Sequence, residues 1–342
     1  LCDVLQQRIE RETIRKDRDR ILREMKSCHP NYKATTIRSL LAQGVISTQD
    51  LINIGLNDNQ ISKVERYQQP RTDNRNDWGS LPPLRENSTD VYMFGKAASG
   101  KSTMLGGILF RADRRGVLRP DITNNIGIRY MDDLQNRIRQ EILPDRTSVD
   151  NLNYISADIQ NLRQEYHPIN FIEMSGERFE KTYHSNYDLS NSIGANNYLK
   201  NKNRKILFFI IDYSVDEFGL DYHESVNQGN QLRTVLQILA ADGTLQYTDA
   251  LFLVVTKSDL ISSDHNQIIN GVNQYVNLEY LNLLNLCREY QNKHRYSFEV
   301  LPFSLGKFVL PDIYTFDSHF SDNLLNKIVN HSRTAQRKGI FG

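Results

Sequence analysis

The chain has 342 residues, with 42 Lys and Arg against 41 Asp and Glu for a formal net charge of +1, and 39% of it is hydrophobic. That length leaves room for two domains with a real core, and the charge balance excludes both a disordered polyelectrolyte and a global attraction to nucleic acid. The longest apolar runs, Ile206–Ile211 and Ala250–Val255, fall far short of the ~20 residues a membrane-spanning helix needs.

Cys2, Cys28 and Cys287 are too few and too scattered for a disulfide framework and read as free thiols of a reducing compartment. The opening residues carry no signal-peptide pattern, so a cytoplasmic location is expected.

Residues 1–26 interleave acids and bases, with Val4, Leu5, Ile9, Ile14, Ile21, Leu22 and Met25 at helical spacing. A solvated amphipathic helix is the plainest reading of that charge run, and no nucleic-acid partner is favoured because the acids cancel much of the attraction. Ser47-Thr48-Gln49-Asp50 and Asn57-Asp58-Asn59-Gln60 look like helix starts, each with a capping oxygen and an acid or amide three residues on. Gly44 and Gly55 suit the helix ends before them. Residues 1–67 thus predict a small all-helical partner module. The polar, Pro- and Gly-punctuated stretch 68–89 predicts a linker, and the tail 334–342, with Arg337 and Lys338, a basic terminus.

From residue 90 short apolar strands alternate with helical stretches. Strands are expected at Asp90–Phe94, Ile169–Met174, Lys205–Asp212, Ala250–Thr256 and Phe298–Phe303. Helices are expected at Lys101–Arg111, Ile128–Ile142, Gln228–Ala241, Asn266–Tyr290 and Ser318–Ser332. The alternation predicts an α/β domain over 90–333 with a mainly parallel sheet flanked by helices. The stretch 151–163 suits either a strand antiparallel to Ile169–Met174 or a helix.

Within that domain, Gly95-Lys96-Ala97-Ala98-Ser99-Gly100-Lys101-Ser102 matches G-x-x-x-x-G-K-[ST] in full, with Thr103 next, a predicted strand before and an apolar helix after. Such a loop turns backbone N–H groups and a helix N-terminus toward phosphates; the lysine reaches the β- and γ-phosphates and the Ser102 hydroxyl a Mg²⁺ ion. Downstream, the apolar run Leu251–Val255 ends in Thr256-Lys257-Ser258-Asp259, or T-K-x-D. The segment resembles the [NT]-K-x-D base-recognition motif of P-loop GTPases, which implies that the Asp259 carboxylate accepts from both the ring N–H and the exocyclic amine of guanine, a donor pair adenine lacks, and that Lys257 lays its stem over the base. Asp212, closing Ile206–Ile211, reads as a loop-ordering acid. Eight histidines without metal-ligand spacing suggest no zinc site.

With these motifs the domain resembles the P-loop GTPases of the translation-factor and Ras-like (TRAFAC) superclass. The resemblance implies binding of GTP and GDP with Mg²⁺ and hydrolysis of GTP to GDP and phosphate. It maps the superclass D-x-x-G onto Glu173-Met174-Ser175-Gly176, with Glu173 in place of Asp on the metal and Gly176 meeting the γ-phosphate. Glu177 stands where Ras-like members place the Gln that orients the attacking water, which implies slow intrinsic turnover. Thr256 replaces the commoner Asn and offers one polar group fewer. Thr147 is preferred as the switch threonine on the metal, with Thr123 its rival, and Arg146 beside it reads as a surface arginine. Ser304 and Leu305 stand where a loop contacts guanine. The helical insertion before Thr147 and the Ser175-Gly176-Glu177 segment look most like bacterial double-GTPase families, implying a second GTPase as partner and a nucleotide-dependent dimer. The expected behaviour is that of a molecular switch for a protein partner; the alternative is an assembly module that holds GTP with little or no hydrolysis.

Overall fold

The computed structural model describes residues 15–29, 31–66, 83–144, 152–174, 198–214 and 222–335, over 222–227 as backbone alone. Most of the expected linker and most of the tail lie outside the described residues. Among the described residues no helix is long and apolar enough to cross a membrane. The chain divides into two compact units.

The first unit begins with α1, helical over 15–26, then α2 (Ala34–Ala42), α3 (Thr48–Asn53) and α4 (Asp58–Arg66). Local chemistry sets these boundaries. Ser47 and Asp50 form a reciprocal capping box at the start of α3. Asn57 and Gln60 do the same for α4, each side-chain oxygen accepting from the other's backbone N–H at 2.9 Å. Gly44 and Gly55 take φ of +68° and +106° behind α2 and α3, the left-handed conformation that lets a helix end without a Cβ clash. Arg18 pairs with the same Asp50 that closes the capping box.

This unit is not helical throughout, because two later stretches belong to it: Arg139–Leu143 and Gly306–Phe316. The second is an antiparallel hairpin whose strands span Gly306–Leu310 and Ile313–Phe316. Leu310 and Ile313 join Met25, Ala34, Ile37, Ile46, Leu51, Leu56, Ile61 and Val64 in one core. The hairpin also caps α2. Lys33 offers no side-chain cap, and the Asp312 carboxylate accepts from Ala34 N at 3.0 and 3.2 Å. The periodicity of the N-terminal residues gives no hint of this partner.

The second unit has the expected α/β architecture with a mainly parallel sheet, and the expected range 90–333 is interrupted by the two stretches that belong to the first unit. Its elements are β1 (Thr89–Phe94), α5 (Lys101–Arg114), β2 (Leu118–Pro120), α6 (Asn125–Arg139), β3 (Leu152–Gln160), β4 (Tyr166–Met174), β5 (Arg204–Asp212), α7 (Tyr222–Ala241), β6 (Thr248–Thr256), α8 (His265–Glu279), α9 (Leu281–His294), β7 (Ser297–Phe303) and, after the hairpin strands β8 and β9, α10 (His319–His331). The seven strands run in the order β2-β3-β4-β1-β5-β6-β7. β4, β1, β5, β6 and β7 are mutually parallel, and β2 and β3 pair antiparallel at one edge. Within the ambiguous stretch 151–163, Leu152–Gln160 form a strand antiparallel to β4, with Asn153 opposite Glu173. Ile206–Ile211 and Ala250–Val255 are buried at every position, as strands covered on both faces must be.

The long helix expected over Asn266–Tyr290 is two. Tyr280 leaves helical geometry at φ −122°, ψ 25°, and its buried hydroxyl accepts from Gln228 Nε2 at 2.8 Å. At the other end of the sheet from the strand C-termini, the fully buried Asp90 accepts from Asn201, Asn203 and Asn170 at 2.7–2.9 Å. Beside it, burial brings the Lys205 ammonium down to about 8, and that group donates to the Asn201 and Asn203 carbonyls at 2.8 Å.

Ile313 is fully buried, so Ile313→Ala leaves a cavity in the first unit's core. A loss of about 2–5 kcal/mol in unfolding free energy is expected. Chemical denaturation of the whole chain measures it.

Candidate functional site

Parallel strands end on one edge of a sheet, and the register brings the chemistry-bearing residues to that edge. Met93 lies beside Glu173, Asp212 beside Thr256, and Thr256 beside Phe303. The carboxyl edge of such a sheet is where α/β folds place ligands.

β1 runs out at Phe94, and Gly95–Gly100 turn the chain into α5. A Cβ on Gly95 would sit 2.9 Å from the Ile210 carbonyl of β5 and 2.8 Å from Ser99 Oγ, so the first motif glycine is required by a close backbone approach. Ala98 and Gly100 take φ of +60° and +85°; together they curl the loop. Lys101, the first residue of α5 and 5% exposed, folds back so that Nζ donates to the carbonyls of Gly95 at 2.8 Å and Lys96 at 2.7 Å. No side chain caps α5 at Gly100, and the positive end of the helix dipole at the loop favours an anion.

Ser102 Oγ, one residue along α5, donates to Glu173 Oε1. The carboxylate is completely buried at the end of β4. Its Oε2 accepts from the Tyr130 hydroxyl on α6, with Asn153 Nδ2 farther off at 3.5 Å. A serine hydroxyl and a carboxylate meeting at a helix N-terminus make a hard-oxygen donor set that suits Mg²⁺.

The T-K-x-D segment is built into the same edge. Thr256 Oγ1 lies 2.7 Å from the Ser99 carbonyl and 3.0 Å from that of Ile211. Its single proton therefore ties the segment either to the phosphate loop or to β5. In place of the amide that Asn would present, Thr256 thus supplies a hydrogen bond within the chain. Lys257, at φ +57°, donates to Asp212 Oδ2 at 2.6 Å and Ser214 Oγ at 2.9 Å. Asp212 also accepts from the Ser214 N–H and hydroxyl, the loop-ordering role its position suggested. Asp259 Oδ1 accepts from Ser304 Oγ at 2.7 Å. Burial pushes the Asp259 carboxyl above the usual range, and the Ser304 bond opposes that shift. Leu305 is buried, and its carbonyl accepts from Asp317 N at 2.7 Å.

Gly95–Thr103, Glu173, Thr256, Lys257, Asp259, Ser304 and Leu305 thus line one edge of one unit. Arg146, Thr147, Gly176 and Glu177 lie outside the described residues. The rival Thr123 is exposed and turned to its own loop, both its N–H and its hydroxyl donating to Asp121 Oδ1 at 3.0 and 2.7 Å. Sequence reasoning missed Tyr130 and Ser214. Neither belongs to a spaced motif, and Tyr130 sits in the insertion where no pattern applies.

No protein-family profile matches the chain, and neither does any curated protein. Solved structures to which the chain shows similarity include a Plasmodium falciparum chain described as a putative nucleolar GTP-binding protein 1, at 11% identity and a TM-score of 0.35, over 73% of this chain and 90% of that one. The Saccharomyces cerevisiae Ski7 GTPase-like domain, bound to GTP, aligns at 18% identity and a TM-score of 0.36, over 71% of this chain and 50% of that one. Sup35 complexed with GDP follows at 14% identity and a TM-score of 0.27, over 64% of this chain and 37% of that one. At such distances the site stands on its own geometry.

Gly95→Ala puts a methyl group against a backbone carbonyl that cannot swing aside. It is expected to lower stability by about 1–3 kcal/mol and to displace the phosphate loop. Thermal unfolding checks the first effect and nucleotide titration the second.

Proposed function

We propose that the chain binds guanine nucleotide and hydrolyses GTP slowly to GDP and phosphate, acting as a nucleotide-dependent switch for a protein partner. The observation that carries this reading is the assembly, on one sheet edge, of a lysine-closed phosphate loop, the Ser102–Glu173 pair and the Asp259–Ser304 pair. In this reading Gly95–Thr103 hold the phosphates and Lys101 neutralises charge developing on them. Ser102 and Glu173 hold Mg²⁺ together with Thr147. That ion, when bound, would offset the negative charge of the phosphate oxygens.

Asp259 accepts from guanine while Lys257, its ammonium anchored on Asp212, covers the base. Each carboxylate oxygen has two acceptor sites, so the Ser304 bond leaves Asp259 capacity for both guanine donors. Gly176 senses the γ-phosphate, and its loss releases the segments around Thr147 and Glu173–Lys181. The N-terminal helices are the proposed partner surface, with a second GTPase or a second copy of the chain as the partner, in the cytoplasm. One sequence observation favours a second reading. Glu177 in place of Gln puts a carboxylate near the γ-phosphate, which suits an assembly module that holds GTP and scarcely turns it over.

The test is binding of GTP, GDP and ATP to the purified chain with Mg²⁺, with phosphate release followed in parallel. Asp259→Asn is expected to weaken guanine nucleotide at least tenfold, about 1.4 kcal/mol, and to leave ATP unchanged. Preference of the unmodified chain for ATP would sink the reading, and guanine binding without phosphate release would favour the assembly module.

Acid adds a further check. Asp259 must be ionised to accept from guanine, and its pKa is raised by burial. As pH falls, guanine affinity should therefore decline before exposed carboxylates titrate. In Ser304→Ala, which loses the bond that lowers this pKa, the decline should begin at higher pH. Titrations of GDP across pH, with ATP as control, report both.

A further inference from the structure

Glu173 departs from the shorter Asp of the superclass by one methylene, and so by one more torsion to fix. The chain holds the longer acid at both oxygens, Oε1 by Ser102 and Oε2 by Tyr130. The second hold comes from α6, which lies between the phosphate-loop helix and the strand pair β3–β4 in the chain.

That helix is mounted closely. A Cβ on Gly127 would fall 2.5 Å from the Tyr154 carbonyl of β3, and one on Gly106 of α5 only 3.1 Å from Ile138 of α6. Two glycines thus let α6 seat against β3 at its start and against α5 near its end. Tyr130 lies between those two contacts and beside the buried stripe Gly127, Met131, Leu134 and Ile138. A half-buried tyrosine on a helix so fixed delivers its hydroxyl to one place.

We propose that Tyr130 is a positioning residue for the metal-holding acid: its hydroxyl sets the Glu173 carboxylate so that the other oxygen meets Ser102, compensating for the extra methylene. This inference rests on the guanine-nucleotide reading above and adds to it a residue outside every motif. The role assigned to Tyr130 is indirect: its hydroxyl bonds Glu173, and its effect passes through that carboxylate.

The experiment follows release of a fluorescent GDP from the full chain as free Mg²⁺ is varied, with an EDTA limit, for the unmodified chain, Tyr130→Phe, Glu173→Gln and the double variant. Tyr130→Phe keeps the ring and its packing. It is expected to raise the Mg²⁺ concentration that half-slows release three- to tenfold, leaving the EDTA release rate within twofold. In the Glu173→Gln background the same change should move the Mg²⁺ midpoint less than twofold, since coupled residues do not add. An unchanged midpoint in Tyr130→Phe would overturn the proposal. So would equal acceleration with and without Mg²⁺, which marks general loosening, or an undiminished shift in the Glu173→Gln background. If the unmodified chain binds no guanine nucleotide, the functional reading fails and this inference falls with it. Normal binding with an unmoved midpoint sinks the inference alone.

Discussion

A phosphate loop must point its N–H groups outward, and so must dispose of its carbonyls inward. Here Lys101 takes two of them, at Gly95 and Lys96, and Thr256 reaches a third, at Ser99. The rest of the site depends on that inward satisfaction. The curl at Ala98 and Gly100 is tolerable only while the carbonyls it turns inward find donors. The lysine that supplies two of those donors is the cation proposed to meet the phosphates, and the threonine that reaches the third begins the segment proposed to read the base. In the proposed reading, the segment assigned to the base would therefore be tied to the loop assigned to the phosphates whenever Thr256 donates to Ser99 and not to Ile211. A disturbance at Thr256 would reach Ser99 in the loop as well as Lys257 and Asp259 beside it.

The acid at the end of β4 shows the same economy of contacts. A fully buried carboxylate is costly unless donors surround it, and Glu173 draws them from three elements, α5, α6 and β3. The register opposite Asn153 and beside Met93 fixes its backbone. Those donors hold its side chain, and two of them come from residues with no motif of their own.

What the amino-acid sequence made legible was chemistry with local rules. Ser47 and Asp50, or Asn57 and Gln60, cap helices over three residues, and the structure finds both pairs. The glycines, lysine and serine of the phosphate loop act within one turn, and strand periodicity placed the parallel core. What stayed hidden was long-range. Nothing near Ala34 says that Asp312 will cap its helix, and the apolar alternation of Ile313–Phe316 is too short to declare a hairpin. Tyr280 breaks a helix with neither glycine nor proline because a buried hydroxyl bond outweighs propensity. Tyr130 is indistinguishable in sequence from any other helical tyrosine until β4 is known to pass beside it.

The hairpin in the first unit also bears on the order in which the chain matures. The N-terminal helices are the earliest described segments to leave a ribosome, yet their core waits for Leu310 and Ile313, which are made only after every strand of the large sheet. Helices this short are marginal alone, and domains ordinarily fold as they are synthesised. The earliest described segment is thus among the last completed. Until then its apolar stripe is exposed, which is when a chaperone would have most to hold.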